Sequence, residues 1–197
     1  PPMTVSARPV WHSFVEYIAL EEASSTKHEY FDGQIFAMAG GSPEHAALIA
    51  SATFQLASQT RGGRCRVHAS ELRIRVEASD LATYPDVAVV CGPWLRDPEN
   101  PRTILNPTVL VEVLSPSTEA YDRGEKLLRY KQISSLRAMA LVAYDRREVE
   151  VWRRPDQAAP WTRALHGPGQ VASLTEALAL EVDSLYDDAA EPTADGA

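Results

Sequence analysis

At 197 residues, with 45% hydrophobic and 23% charged side chains, the chain has the length and balance of one globular domain with a sizeable core. No apolar run approaches the ~20 residues that span a bilayer, and the opening PPMTVSARPVWHSF lacks the basic and apolar regions of a signal peptide, so a cytoplasmic protein with no membrane contact is expected. The net charge of −8 argues against broad phosphate binding, but residues 61–75 hold five arginines and one acid, residues 121–154 nine bases and five acids, and residues 176–197 seven acids and no base.

In chain order, residues 10–22 (VWHSFVEYIALEE) have the apolar spacing of a short amphipathic helix. Asp32-Gly33, between β-formers, predicts a hairpin with a type I′ turn. GSPEHAALIASATFQLASQT reads as a helix capped by Ser42, with Pro43 in its first turn and Leu48, Phe54 and Leu56 on its apolar face. Three strands follow: an Arg-rich one within residues 64–76, then YPDVAVVCG, then TVLVEVLS. A helix is expected from Ser115 and Pro116 to about Ile133, then a hairpin turning at Asp145 to Arg147. The remainder is loop and weak strand with a short apolar segment. Residues 187–197, acidic and small, are expected to be a disordered tail behind a single domain spanning 1–186. Cys65 and Cys91 are too few for a disulfide framework and lack zinc spacing, so both are expected as reduced thiols, Cys91 buried at a strand end. Trp11, Trp94, Trp152 and Trp161 are scattered, as core or interface residues are. The order of elements predicts an α/β or α+β fold around a mixed sheet.

The chemistry centres on the acid in TVLVEVLS. Glu112 lies in an apolar strand, where a carboxylate must be paired, bind a metal or take up a proton. Asp86 opens the preceding strand. If those strands are neighbours, the two carboxylates converge, and a hard divalent cation between them would relieve their repulsion and could activate water. Asp122, Lys126 and Tyr130 follow at i, i+4 and i+8 on one helical face. The Asp–Lys pair is either a solvent-exposed ion pair or aims the Lys126 ammonium back at Glu112.

YPDVAVVCG, VLVEVLSPSTEAYDRGEKLLRYKQI and HEYFDGQIFAMAGGSPEHAALI together resemble the Uma2 family (DUF820), over roughly residues 12–186. That family belongs to the PD-(D/E)xK restriction-endonuclease-like superfamily. The resemblance implies an αβββαβ core, preceded here by an N-terminal helix and a β-hairpin, and Mg²⁺ (or Mn²⁺) held by Asp86 and Glu112 with the Val113 carbonyl as a further ligand. The motif's lysine belongs two residues after the acid, where this chain has Leu114. The family pattern resembles superfamily members in which the lysine has moved to the next helix, a position that Lys126 fills. SLRAMALVAYD also departs from relatives, as packing variation. His45 matches a recurrent family histidine and is either a capping or core residue or a ligand or phosphate contact. Glu29 matches a recurrent acid and either pairs with a base on a neighbouring strand or lies at the rim of the metal site. Ser115 is expected to cap the helix bearing Lys126.

On this reading the protein is a metal-dependent endonuclease acting on DNA, with Asp86, Glu112 and Lys126 as its catalytic set and the Arg-rich strand near the backbone; the resemblance implies a homodimer. The alternatives are a binding module that keeps the fold without hydrolysis, and a purely structural Glu112–Lys126 pair.

Overall fold

A computed structural model describes residues 10–190. The first helix, α1 (Phe14–Ala23), begins where Ser13 and Glu16 form a reciprocal capping box, and it buries Phe14, Tyr17 and Ile18. The hairpin β1 (His28–Phe31) and β2 (Gln34–Ala37) turns through Asp32 and Gly33, both at positive φ (45° and 78°). Gly33 is doubly required, since a Cβ there would lie 2.0 Å from the ring of Trp11. Helix α2 (Pro43–Thr60) has the predicted Ser42 cap, with the hydroxyl accepting from the His45 amide. Leu48 and Leu56 are buried as expected, but Phe54 is 66% exposed and does not belong to the apolar face.

A six-stranded mixed sheet forms the centre, in the order β11-β10-β9-β8-β6-β3. Its strands are β3 (Cys65–Ala69), β6 (Val87–Cys91), β8 (Val109–Val113), β9 (Ala138–Val142), β10 (Val149–Arg153) and β11 (Thr162–His166). Neighbours are antiparallel except β8 and β9, which are parallel. The parallel step requires a crossover, and the chain supplies it as a helical segment between those strands. With α2 in front, this is the expected αβββαβ order.

Both faces of this sheet are covered, so its central strands are apolar throughout rather than alternating. Val87, Val89, Val109, Val111 and Val113 pack with Leu48 and Leu56 of α2, while Ala88, Val90, Leu110 and Met139 pack with Leu127, Tyr130 and Ile133 on the other side. Burying each Val or Leu contributes roughly 1.5–3 kcal/mol. On the α2 side the layer is completed by a small hairpin, β12 (Val171–Ser173) with β13 (Ala179–Glu181), and by α5 (Val182–Asp187).

The predicted Arg-rich strand is in fact two strands in two sheets. A turn in which the Ala69 carbonyl accepts from Glu71 and Leu72 takes the chain out of β3 and into β4 (Arg73–Val76). This strand joins β5 (Leu81–Thr83), β7 (Thr103–Ile104) and the first hairpin in a second sheet, β2-β1-β5-β4-β7. The consequence is chemical. Arg73 is buried and donates to Thr103 and Tyr84, and Arg75 is ion-paired with Asp97 and Glu99. Neither is free to meet a DNA backbone.

The cysteines also correct the expectation. The antiparallel register sets Cys65 opposite Cys91, with side chains on one face, and the two form a disulfide. Asp187 closes α5 and pairs with Arg147, and the expected tail beyond residue 190 lies outside the described residues. Among the described residues no helix is long and apolar enough to cross a membrane.

Candidate functional site

Strand register brings the two acids together. Val87 pairs with Val111, so one residue further along Asp86 faces Glu112 across the ladder, both on the side of the sheet that carries Ala88 and Leu110. Alternation explains the apparent misplacement of Glu112: its valine neighbours point to the α2 core, and Glu112, like Leu110, points to the crossover helix. Asp86 is anchored through Oδ2, which accepts from the Val113 amide at 2.7 Å.

The crossover consists of α3 (Glu119–Tyr121), a π turn (Asp122–Lys126) and α4 (Leu127–Tyr130). Lys126 ends the π turn and is 5% exposed. Its Nζ lies 2.9 Å from Glu112 Oε1 and 3.5 Å from Asp122 Oδ1. The Tyr130 hydroxyl donates to the same Glu112 oxygen at 2.6 Å. The lysine therefore reaches the strand acid from the next helix, while Leu114 is fully buried. The helical segment starts later than predicted. Its cap is not Ser115, whose hydroxyl bonds those of Ser117 and Thr118 instead.

Electrostatics separate these groups. Burial pushes the Glu112 carboxyl up to about 8, against the pull of Lys126 and with the push of Asp86 and Asp122. Burial also raises Asp86, against the Val113 amide and the charges of His45 and Lys126. Lys126 stays charged: burial pulls it down, but Glu112, Tyr130, Glu29 and Asp122 hold it well above its usual value.

His45 comes from the first turn of α2. Its Nε2 is 2.9 Å from the Val113 carbonyl and 3.7 Å from Asp86 Oδ2. A carbonyl only accepts, so Nε2 carries the proton. Gly41 makes room for this ring, because a Cβ there would come within 2.5 Å of Nδ1. Glu29 reaches the site from β1, with Oε1 buried and unpartnered. Beside it Tyr121 is a firmly protonated phenol, raised by burial and by the Glu29 charge.

These groups open on a cavity of about 560 Å³, lined among others by Glu29, His45, Asp86, Glu112, Asp122 and Lys126. The predicted Asp86, Glu112, Lys126, Asp122, His45 and Glu29 thus converge, and Tyr130 touches them through Glu112. Tyr84 and Tyr121 also line the cavity and were not anticipated; a tyrosine beside a motif acid carries no spacing signal of its own. Among the described residues no three His, Cys, Asp or Glu side chains stand as a preformed metal cluster. The donor chemistry nonetheless suits a hard divalent cation. Asp86 and Glu112 each commit one oxygen to the hydrogen bonds above and keep the other, and the acids outnumber the buried cation.

A family model described as "Putative restriction endonuclease", Uma2, matches residues 14–185. An uncharacterized protein of Synechocystis sp. is 40% identical over 141 residues, which are 72% of this chain and 73% of that protein. A second uncharacterized protein of the same organism is 28% identical over 127 residues, 64% of this chain and 72% of its own. Among solved structures, a putative nuclease belonging to DUF820 from Anabaena variabilis matches with a TM-score of 0.71 at 18% identity, covering 89% of this chain and 98% of the other. At that identity the likeness is one of fold.

Proposed function

The chain belongs to the Uma2 family of putative restriction endonucleases, and from that premise we propose that it is a divalent-metal-dependent endonuclease that hydrolyses DNA phosphodiester bonds. The observation that carries this reading is the 2.9 Å contact of Lys126 with Glu112, which returns a lysine to a strand acid whose own motif position is occupied by Leu114.

Asp86 and Glu112 would hold Mg²⁺ or Mn²⁺, with the Val113 carbonyl as a further oxygen. The ion, when bound, supplies Lewis-acid stabilisation of the phosphoryl charge and a more acidic water. The protein groups do the positioning. The Val113 amide fixes Asp86, and Tyr130 and Lys126 fix Glu112 by one oxygen. The Lys126 ammonium, kept charged by the acids around it, orients an attacking water and counters charge on the phosphate. His45 holds the Val113 carbonyl in place. Glu29 and Tyr121 form the rim. A homodimer, bringing two such sites to two strands, belongs to the same proposal.

Nicking of supercoiled plasmid with Mg²⁺ tests it. Glu112→Ala and Asp86→Asn should each lower the rate by at least ~10²-fold with the circular dichroism spectrum unchanged. Undiminished cleavage by a pure Glu112→Ala preparation would falsify the assignment. A second reading, a non-catalytic module, has one specific observation in its favour: Glu112 Oε1 is held by both Lys126 and Tyr130, as in a structural ion pair. Mn²⁺ titration that finds no heat with wild type would favour that module.

A further inference from the structure

A second cavity, of about 850 Å³, lies at the opposite end of the six-stranded sheet. Asp86 precedes β6 and Cys91 closes it; Val113 closes β8 and Thr108 precedes it. The acidic site thus occupies one set of strand ends and this cavity the other, roughly 15 Å away along a five-residue strand. Its wall runs from the last turn of α2 (Gln59, Thr60) to the loop between β12 and β13.

The charge of the lining is inverted. Arg64, Arg137 and the adjacent pair Arg153 and Arg154 line the cavity from three stretches of the chain, and Glu176 is the single acid among the lining residues. Arg154 is committed to structure: it donates to the Ile133 and Leu136 carbonyls and lies over the Trp161 ring. Burial and the neighbouring charge of Arg137 lower its pKa, so this is a place where guanidiniums crowd one another. The other three have no carboxylate partner among the described residues. Arg137 donates to the adjacent carbonyls of Ser134 and Leu136, and Arg153 reaches only the Ser173 hydroxyl, at 3.4 Å. In a chain with 27 acids and 19 lysines and arginines, three unpaired arginines around one hollow are unbalanced charge.

The hydroxyls add to this. Thr108 Oγ1 accepts from the Cys91 amide, and Thr175 Oγ1 accepts from Ala177 and Leu178, so both keep a proton to donate. No aromatic side chain lines the cavity for a base to stack on, so the recognised feature is the anion. The volume is that of a small-molecule site. Planar guanidiniums with hydroxyl donors match phosphate oxygens in number and geometry.

We propose that this cavity is an anion site for a phosphate-bearing ligand, gripped by Arg64, Arg137 and Arg153 and separate from the carboxylate cavity. The phosphate can come from a small phosphorylated molecule or from a nucleic-acid backbone, and two probes distinguish them: inorganic pyrophosphate and a short DNA duplex, each titrated calorimetrically in EDTA. Wild type should bind at least one, more weakly as salt rises. Arg64→Ala and Arg153→Ala, both at exposed positions, should each weaken binding roughly tenfold or more, as expected for loss of a charged hydrogen bond. Asp86→Asn should leave pyrophosphate binding unchanged. Binding of pyrophosphate identifies a small ligand, and binding of the duplex alone identifies the backbone. If neither probe binds, or both arginine variants bind as wild type does, or Asp86→Asn abolishes binding while they retain it, the proposal is overturned.

Discussion

Val-Glu-Val occurs twice in the central sheet, at residues 111–113 of β8 and 149–151 of β10, and the two glutamates have opposite fates. Glu150 is enclosed by donors: Arg123 and Arg163 both pair with it, and the Trp152 indole donates at 2.6 Å. Burial pushes its carboxyl up, but those hydrogen bonds and charges outweigh it and hold the pKa below the usual value. Glu112 has one lysine and one tyrosine on one oxygen, with Asp86 and Asp122 close enough to oppose its charge, and it rises to about 8. Local sequence is the same; the partners contributed by other elements decide whether the acid is a structural anion or a poised, charge-starved ligand.

Removing the partner of the poised acid should have the largest effect. Lys126→Met leaves Glu112 buried without its cation, which costs about 3–5 kcal/mol when the carboxyl is ionised. At pH 6 the acid can take up a proton instead, so urea denaturation should show a much smaller loss there than at pH 9. A loss of equal size at both values would mean that Glu112 is not poised.

On the structural side, Glu150→Ala strands the Trp152 donor and sets Arg123 and Arg163 against each other. A loss of about 1–3 kcal/mol is expected, with plasmid nicking retained. If nicking disappears while the protein stays folded, the distinction between the two acids collapses.

The pH dependence should carry opposite signs. Glu112, with its folded pKa raised above 4.5 to about 8, contributes stability that is complete below about 4.5 and lost as pH rises through about 8. Glu150, with its folded pKa lowered, contributes stability that is present above about 4.5 and lost in acid. Melting temperatures of metal-free wild type and Glu112→Gln should therefore differ in slope between pH 5 and 8, and Mg²⁺ should stabilise wild type more at the upper end. Parallel curves would remove the case for a raised Glu112. The smallest effect is expected from Arg163→Ala. That arginine is half exposed, and Arg123 and Trp152 still hold Glu150, so the change should stay under about 1 kcal/mol.

The carboxylate site was legible because each member lies in a strongly patterned segment. A single acid inside an apolar strand singles out Glu112, the strand opening places Asp86, and helical spacing puts Lys126 and Tyr130 on the face that returns to the sheet. What escaped depends on pairing between distant elements. The Cys65–Cys91 bond follows from a register that sequence does not print. The break between β3 and β4 is a short turn inside a run of β-formers, and with it Arg73 and Arg75 passed from presumed DNA contacts to internal ties. The role of Glu150 has no local signal, although its tripeptide is the same, because its partners Arg123 and Arg163 lie on separate elements. The arginines of the second cavity likewise come from three distant stretches, around residues 64, 137 and 153–154.

A π turn is an α-helix holding one residue more than its neighbours need. Residue count between Glu119 and Tyr130 is therefore as much a part of the site as residue identity. Loss of one residue within 122–126 would let the turn relax to regular α-helix, with Leu127 and Tyr130 keeping their places in the following turn. The spacing between Glu112 and Lys126 would shorten by one without a change in either side chain. A fixed sequence offset between acid and lysine therefore encodes the extra residue of the turn as well as the chemistry.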